Sequence, residues 1–303
     1  MSTALVLSIA MVLDAFVGEP RALWDRVPHP AVLMGRVVGW FDRRWNVGEA
    51  RWVKGVCTMV AMGAGAVLLG MVLYACGPVV EVIIVAVLLA QNSLVTHVRA
   101  VASALRLSVG EARRSVAMIV GRDTAAMDGP AVARAAIESA AENQSDGVIA
   151  PAFWFLIGGL PGLLLYKITN TADSMIGYRT PRHEEFGWAA ARFDDLLNVI
   201  PARLTAGLIW LSHGRWKGFG AVRADARLHR SPNAGWPEAA MARVLGVALS
   251  GPRAYEGRMR DFPFVNAMGK RQIGAQEIEA SCAALWRSWG LALGLAMIAS
   301  LLG

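Results

Sequence analysis

Residues 55–98 read GVCTMVAMGAGAVLLGMVLYACGPVVEVIIVAVLLAQNSLVTHV, and this stretch decides the fold. Glu81 is the only Asp, Glu, Lys or Arg within it. Residues 55–76 supply the run of about 20 apolar residues that a transmembrane helix needs. Gly77-Pro78 then predicts a tight turn, so residues 78–98 form a second spanning helix.

Four further apolar runs occupy residues 1–13, 148–166, 204–213 and 288–303. All 30 Lys and Arg residues lie outside the five runs, and Glu81 alone of the 23 Asp and Glu residues lies inside them. This segregation is typical of a protein in a bilayer, because charge is expensive in hydrocarbon. We therefore predict an all-α, polytopic integral membrane protein with about four to five spanning helices and helical extramembrane loops.

The composition agrees with this class. Hydrophobic residues make up 55% of the chain and charged residues 17%, whereas a soluble domain carries about 25% charged residues. A fully soluble enzyme, a disordered chain and a secreted disulfide scaffold are thereby excluded. We predict a single integral membrane domain over residues 1–303. Its extramembrane segments are placed at 14–54, 99–147, 167–203 and 214–287.

The net charge of +7 raises the question of nucleic-acid binding. The basic residues lie in the loops between apolar runs, often beside acids, and no basic run carries interleaved aromatic residues. We interpret them as anchors on the cytoplasmic side and as ligands for anions. No nucleic-acid partner is expected.

The apolar run at 148–166 is interrupted near its middle. Three glycines and a proline fall within positions 158–162, and such a composition breaks a helix. The run is either a broken span or a re-entrant hairpin, since irregular backbone at depth is tolerated where protein covers it. We expect re-entry, with the polar stretches 138–147 and 167–198 meeting on the cytoplasmic side.

Acidic and amide side chains cluster just before this run. Glu138 and Glu142 are four residues apart and share a helix face, while Asn143 and Asp146 lie on an adjoining face. Acids and an amide at a membrane boundary suit Mg²⁺ or a water-bridged polar substrate. The alternative is a plain solvated helix face.

A second polar cluster follows the run directly, from Lys167 to Arg179. Asn170 and Asp173 are three residues apart and face together if the segment is helical. Hydroxyl groups, one Lys and one Arg beside a carboxylate suit a phosphate with its metal ion. A solvated helix cap is the alternative.

A third cluster contains Asp194 and Asn198, which are four residues apart, and Asp195, which is turned about 100° away on a helix. Paired acids next to the membrane again suggest metal–phosphate chemistry. The alternative is that Arg192 pairs with Asp195 as an ordinary helix salt bridge.

Two loops complete the set. Residues 230–238 carry Ser-Pro-Asn and Gly-Trp-Pro, and Pro237-Glu238 predicts a helix start, so the segment is either a binding loop or a connector. His29 lies between two prolines in an extended segment, where it is a ligand, an acid–base group or a structural residue.

Taken together and in order, these clusters resemble the adenosylcobinamide-phosphate synthase family, the CobD/CbiB proteins of corrinoid biosynthesis. The resemblance covers nearly the whole chain, and such an ordered set is highly specific. The residues that carry it are Asp14, Gly18-Glu19-Pro20, His29-Pro30, Gly35, Glu138-Ser139, Glu142-Asn143, Ser145-Asp146-Gly147, Asn170-Thr171, Asp173-Ser174-Met175, Gly177-Tyr178, Phe186-Gly187, Ala191-Arg192, Asp194-Asp195, Asn198, Pro201-Ala202-Arg203-Leu204-Thr205, Ser231-Pro232-Asn233-Ala234-Gly235, Pro237-Glu238 and Gly251-Pro252.

The resemblance implies a multi-pass ligase of the cytoplasmic (inner) membrane with its active site on the cytoplasmic face. Such a ligase joins a propionate carboxyl of adenosylcobyric acid to the amine of an aminoalcohol phosphate, such as aminopropanol phosphate, and yields adenosylcobinamide phosphate. The reaction converts ATP to ADP and phosphate, so ATP and Mg²⁺ are the expected cofactors. The implied partners are the corrinoid substrate, the aminoalcohol phosphate, the lipid bilayer and other membrane enzymes of cobalamin assembly.

On this basis we assign roles to the polar residues. Metal binding is assigned to Glu142, Asp146, Asp173, Asp194 and Asp195. Phosphate groups are assigned to Lys167, Arg179, Arg192 and Ser174. The catalytic group consists of Asn143 and Asn170, which orient the groups that form the amide, Asp173, and His29 as a base for the amine.

Two other functions stay open. A membrane transferase acting on a prenyl or alcohol phosphate would use similar Asn and Asp clusters. A non-catalytic corrinoid-binding membrane scaffold would bind without turnover. The sequence contains no P-loop, zinc-ligand spacing or Gly-x-Ser-x-Gly elbow, so the ATP-binding residues are not assigned by motif.

Overall fold

The computed structural model describes residues 1–255 and 258–302, and helices predominate in it. The helices are α1 (Thr3–Val17), α2 (Arg21–Trp24), α3 (Pro30–Trp45), α4 (Arg51–Ala75), α5 (Pro78–Leu88), α6 (Gln91–Leu107), α7 (Val109–Val116), α8 (Gly129–Gln144), α9 (Ala150–Ile176), α10 (Trp188–Leu197), α11 (Val199–Ser212), α12 (Phe219–Ala226), α13 (Gly235–Leu245) and α14 (Ala275–Leu302). A π-helical turn, Ser145–Ile149, joins α8 to α9. The predicted all-α class is confirmed.

Short strands lie between α13 and α14. Strand β1 (Leu249–Ser250) pairs antiparallel with β4 (Phe264–Val265), so that Leu249 faces Val265. Strand β2 (Arg253–Tyr255) pairs antiparallel with β3 (Arg258–Arg260). These pairings fold the loop after α13 into two ribbons, and the loop carries Arg253 into the site described below.

Four helical segments are long and apolar enough to cross a membrane: Arg51–Ala75, Pro78–Leu107, Gly129–Ile176 and Ala275–Leu302. Their outward faces are apolar. On α4, for example, Leu68 and Val72 are 62% and 63% exposed. Water would penalise such a surface, whereas hydrocarbon solvates it. The predicted polytopic membrane protein is therefore confirmed.

The chain folds into two compact units. Unit 1 comprises Met1–Ala90, Ala150–Val199 and Leu295–Gly303. Unit 2 comprises Gln91–Ile149 and Ile200–Gly294. The single integral membrane domain stays a prediction.

Helix α4 packs along α9 in unit 1, and α3 and α10 also pack on α9. The backbones of α4 and α9 approach closely where Gly70 meets Pro161. A Cβ atom on Gly70 would lie 2.5 Å from the Pro161 backbone, so no larger residue fits there. Small residues of this kind let membrane helices approach closely in the absence of a hydrophobic driving force.

Helix α9 folds back on itself at Gly159, whose φ of 58° and ψ of −152° lie outside the helical region. The two arms lie side by side, since a Cβ on Gly162 would be 2.5 Å from the carbonyl oxygen of Trp154. Ala150, at the start of the first arm, packs in a buried cluster with Tyr166 of the second arm. In a straight helix these two residues would be about 24 Å apart.

The glycines and proline therefore break the helix near the middle of the apolar run, as predicted. Re-entry of the run at 148–166, and the compartment that it faces, stay predictions.

Unit 2 is organised around α8. Helices α6, α7 and α13 and strand β1 all contact it. Its buried positions are mostly small, for example Ala133, Ala136 and Ala140, so the neighbouring elements approach it closely. Glu138 also lies on this buried surface, with only 4% of its area exposed. A carboxylate in such a place requires partners.

Candidate functional site

A continuous hydrogen-bond network joins α9 and α10 in unit 1. The Tyr166 hydroxyl donates to Oδ1 of Asn198 over 3.0 Å, and Nδ2 of Asn198 donates to Oδ2 of Asp194 over 2.9 Å. Nδ2 of Asn170 donates to the other oxygen, Oδ1 of Asp194, over 3.2 Å. Both oxygens of one buried carboxylate are therefore held by amide groups.

Helical spacing explains how these side chains meet. Tyr166 and Asn170 are four residues apart on α9, and Asp194 and Asn198 are four residues apart at the end of α10. The fold-back at Gly159 supports this face, because the first arm of α9 contacts the end of α10. Nε1 of Trp154 donates to the Leu197 carbonyl oxygen over 3.1 Å.

Asp195, the next residue on α10, forms an ion pair on the same helix. Its Oδ2 lies 3.7 Å from Nη1 of Arg192, so the ordinary helix ion pair is present. Burial raises the pKa of Asp195, although the Arg192 and Arg179 guanidinium groups oppose that shift. The structure thus brings Asp195 together with two of the predicted phosphate ligands.

The other predicted residues of unit 1 line the end of α9. Asp173 and Lys167 are half-buried, whereas Ser174 and Arg179 are exposed. Asp173 is one turn after Asn170 on α9, which places it beyond the carboxylate network. Exposed Ser174 and Arg179 are open to a soluble phosphate compound.

His29 occupies a structural position. It precedes α3, and its Nδ1 accepts a hydrogen bond from the Ala31 N–H over 3.2 Å. Its ring meets Trp24 edge-on, with the ring centroids 4.5 Å apart. Because Nδ1 accepts this bond, the proton of the neutral ring lies on Nε2. The assignment of His29 as a base stays a prediction.

Asp42 is the centre of a second polar cluster in unit 1, which the sequence did not predict. Nη2 of Arg182 lies 2.8 Å from Oδ2 of Asp42, Nδ2 of Asn46 donates to Oδ1 over 2.9 Å, and Nε2 of His183 lies 3.3 Å from Oδ1. Burial alone raises the pKa of Asp42, but Asn46 and Arg182 outweigh it and hold the pKa below its usual value. These contacts hold α3 against the loop after α9.

Unit 2 contains a buried ion cluster centred on Glu138. Nη2 of Arg122 and Nη1 of Arg253 lie 2.7 and 3.0 Å from its Oε2. The Ser250 N–H donates to Oε1 over 2.6 Å. Both arginine side chains are also largely buried. Burying a carboxylate costs desolvation free energy, and these three hydrogen bonds, two of them from charged groups, offset that cost.

The three predicted residues of unit 2 lie one turn further along. Glu142 and Asn143 are exposed, and Asp146 is half-buried in the π-helical turn. Nδ2 of Asn143 donates back to the Ser139 carbonyl oxygen over 2.9 Å. Single π-helical turns inside α-helices are frequent at functional sites.

A second carboxyl group, Glu238, lies in the same part of unit 2. Its side chain is 3% exposed, and its Oε1 lies 3.6 Å from Nε2 of His229. The Ser231 N–H donates to Nδ1 of His229 over 3.1 Å, which puts the proton of the neutral ring on Nε2. Burial lowers the pKa of His229 below its usual value, so the ring is neutral at neutral pH.

The electrostatics of Glu238 show which groups surround it. Burial raises its pKa well above the usual range, and the Glu138 and Glu142 carboxylates raise it further. Arg253 and Arg122 act in the opposite direction. Glu238 therefore shares one cluster with the predicted residue Glu142.

Sequence reasoning missed most of this cluster. Glu138 and Glu238 stood in the polar stretches that we quoted, yet neither was assigned a role. Arg122 and Arg253 gave no local signal, because each meets Glu138 only through the tertiary fold. Their partnership could not be found from spacing along the chain.

The five predicted metal ligands divide between the units. Glu142 and Asp146 belong to unit 2, whereas Asp173, Asp194 and Asp195 belong to unit 1. Among residues 1–255 and 258–302, no three His, Cys, Asp or Glu side chains lie close enough together to hold a metal ion. The metal assignment stays a prediction.

Comparison with known proteins identifies the family. A family model described as CobD/Cbib protein matches residues 7–285. The chain is 48% identical to the cobalamin biosynthesis protein CobD of Brucella anthropi, over 99% of this chain and 97% of that protein. It is 49% identical to the protein of the same name from Rhizobium meliloti, over 91% and 90%, and 45% identical to that from Rhodobacter capsulatus, over 88% of each.

No solved structure matches the chain. The family model covers almost all of the sequence, and the relatives align along nearly their whole length. The chain therefore belongs to the CobD/CbiB family of cobalamin biosynthesis proteins.

Proposed function

We propose that this protein is the ligase that joins adenosylcobyric acid to an aminoalcohol phosphate and yields adenosylcobinamide phosphate. One observation carries the proposal: the chain matches the CobD/CbiB family over residues 7–285. Relatives covering the same length are named cobalamin biosynthesis proteins. The resemblance to this family implies the amide-forming reaction stated above.

The chemistry requires an activated carboxyl group. A carboxylate is a poor acyl donor in water, so transfer of the terminal phosphoryl group of ATP to the propionate oxygen would give an acyl phosphate and ADP. The amine then attacks the carbonyl carbon, the C–O bond to phosphate breaks, and the amine loses a proton. Anionic groups meet at each step, so cationic and hydrogen-bond-donating side chains must stabilise them.

The residues of unit 1 suit this requirement. Asp194 is a buried carboxylate that accepts hydrogen bonds from Asn170 and Asn198, and carboxylate oxygens are the ligands that Mg²⁺ prefers. Mg²⁺ usually binds one or two carboxylates together with phosphate oxygens. We propose that Asp194, with Asp173 or Asp195, holds Mg²⁺ in that way. When bound, the ion neutralises phosphate charge.

Phosphate groups are proposed to lie against the exposed cations at the ends of α9 and α10. Arg179 and Arg192 flank Asp195. Guanidinium groups bind phosphate through paired hydrogen bonds. Lys167 and Ser174 lie on the same helix as Asp173 and supply further donors.

We propose that this end of unit 1 faces the cytoplasm. Arg43, Arg44 and Lys54 flank the start of α4, whereas the turn Cys76–Pro78 after its end carries no Lys or Arg. Basic residues concentrate on the cytoplasmic side of membrane proteins. Arg51 at the start of α4 pairs with Glu185 over 3.2 Å, so the loop between α9 and α10 lies at the same end.

Product analysis tests the proposal. Membranes carrying the protein are incubated with adenosylcobyric acid, aminopropanol phosphate, ATP and Mg²⁺, and the corrinoids are analysed by mass spectrometry. We expect adenosylcobinamide phosphate, and its loss with Asp194→Asn but not with Asp128→Asn, a helix-capping control in unit 2. Corrinoid binding without product would indicate a scaffold. Turnover of a polyprenyl phosphate instead would indicate a transferase.

A further inference from the structure

The buried carboxyl group of Glu238 lacks the partners that such a group requires. Its Oε2 has no hydrogen-bond partner among the described residues, although the side chain is 3% exposed. The distance of 3.6 Å from Oε1 to His229 exceeds the usual hydrogen-bond range. Unsatisfied buried polar groups are rare and often mark functional positions.

Glu138 shows what a structural carboxylate in this cluster looks like. It accepts hydrogen bonds from Arg122, Arg253 and the Ser250 backbone. Glu238 lies close to the same groups but has no short contact with either arginine in the described part of the chain. It is therefore not explained as a member of the ion cluster.

Glu142 is an acidic neighbour of this buried group. It is exposed, it lies one turn from Glu138 on α8, and it is close enough to raise the pKa of Glu238. Arg230, in the loop before α13, is also exposed and interacts with Glu142. An accessible acid, an unsatisfied buried acid and a neighbouring cation thus occur together.

These groups match a ligand that has a cationic hydrogen-bond donor at one end and an anion at the other. A primary ammonium group needs only two or three acceptors.

We propose that this cluster of unit 2 binds the aminoalcohol phosphate, with its ammonium group on Glu238 and Glu142 and its phosphate toward Arg230. The assignment rests on the proposed function for the identity of the ligand. His229 lies on the Oε1 side of Glu238, with its Nε2 3.6 Å away, which leaves Oε2 for the ammonium group.

The charged and titratable groups around Glu238 are Glu138 and Glu142 of α8, His229, Arg230, Arg122 and Arg253.

Calorimetry on the purified full-length protein tests the site. Aminopropanol phosphate and propan-2-yl phosphate, which lacks the amine, are each titrated into wild type, Glu238→Gln, Glu142→Gln and the exposed control Glu111→Gln. We expect wild type and the control to bind the amine-bearing ligand about tenfold to a hundredfold more tightly than the ligand without the amine. This ratio corresponds to the free energy of a charge-assisted hydrogen bond. Both site variants should lose most of this preference.

The preference for the amine, as distinct from the overall affinity, is the readout that a purely structural role would not change. If Glu238→Gln does not fold, the exposed Glu142→Gln tests the site by itself. The inference is overturned if wild type shows no preference for the amine, if the variants retain it, or if both variants instead abolish binding of MgCl₂ alone.

The inference and the proposed function can fail separately. A preference for the amine without amide product would defeat the ligase and leave the site standing. Amide formation by a wild-type protein that does not discriminate the amine would defeat the site and leave the ligase standing.

Discussion

Ala150 and Tyr166 pack in one buried cluster although they are separated by a full fold-back of helix α9. This contact brings the hydroxyl-bearing face of α9 against α10, where Tyr166 donates to Asn198. The amide and carboxylate network around Asp194 therefore depends on the hairpin. Its bend at Gly159 is the natural place to perturb it.

Replacing Gly159 by alanine should destabilise unit 1. The positive φ of 58° costs an L-residue about 1–2 kcal/mol. Gly158→Ala is the matched control, because a Cβ there meets no atom within 4 Å among the described residues. Thermal unfolding in detergent should show a lower Tm for Gly159→Ala only; equal Tm values would mean that the bend carries no strain for alanine.

Cysteine labelling tests the orientation of unit 1. Cys76 is exposed at the end of α4, and Ser174 is exposed at the end of α9. In a background without other cysteines, a membrane-impermeant maleimide added to intact cells should label Cys76 and should label Ser174→Cys only after the membrane is opened. The reverse pattern would place the Asp194 end of unit 1 outside the cytoplasm.

Substitutions in the Glu138 cluster should lower the stability of the protein. Arg253→Gln removes one of two buried guanidinium partners, and we expect a loss of about 1–3 kcal/mol in the free energy of unfolding. Arg114→Gln removes an exposed pair with Glu111 and should change it by less than about 0.5 kcal/mol. Denaturant unfolding in micelles compares the two. Equal small losses would show that Glu138 does not need Arg253.

The lowered pKa of Asp42 predicts how the stability of the folded protein depends on pH. Because its pKa in the folded protein lies below the unfolded value of 3.8, its charge adds stability above that value. This stability is lost as the pH falls through the folded pKa. Asp42→Asn should therefore lower the Tm at pH 7, and the difference from wild type should shrink below about pH 4. The exposed Glu184→Gln serves as the control. A difference that stayed constant with pH would rule out the charge of Asp42 as the cause.

The sequence predicted the helices well where residues near one another along the chain determine them. Exclusion of charge from residues 55–98 predicted two helices, of which the first corresponds to α4 and the second is divided into α5 and α6, and the glycines and proline at 158–162 predicted the break in α9. Spacing also placed Asp194 and Asn198 together, since i and i+4 share a helix face. The helix bend at Leu89–Ala90 between α5 and α6 carried no such signal.

The site was only partly predictable, because its remaining contacts are tertiary. Arg122, Arg253 and Ser250 converge on Glu138 from separate segments, and no spacing rule connects them. His29 looked free for chemistry in sequence, yet its Nδ1 caps α3. A proline-flanked residue before a helix is well placed for capping, which is one form of the structural role that the sequence left open for His29.

The most direct test of the central claim is the stoichiometry of the reaction in purified protein. ADP and adenosylcobinamide phosphate are quantified in the same sample after addition of adenosylcobyric acid, aminopropanol phosphate, ATP and Mg²⁺. We expect equimolar amounts of the two, with neither formed when the amine or the corrinoid acid is omitted. ADP release without amide product, or amide product without ADP, would contradict the claim.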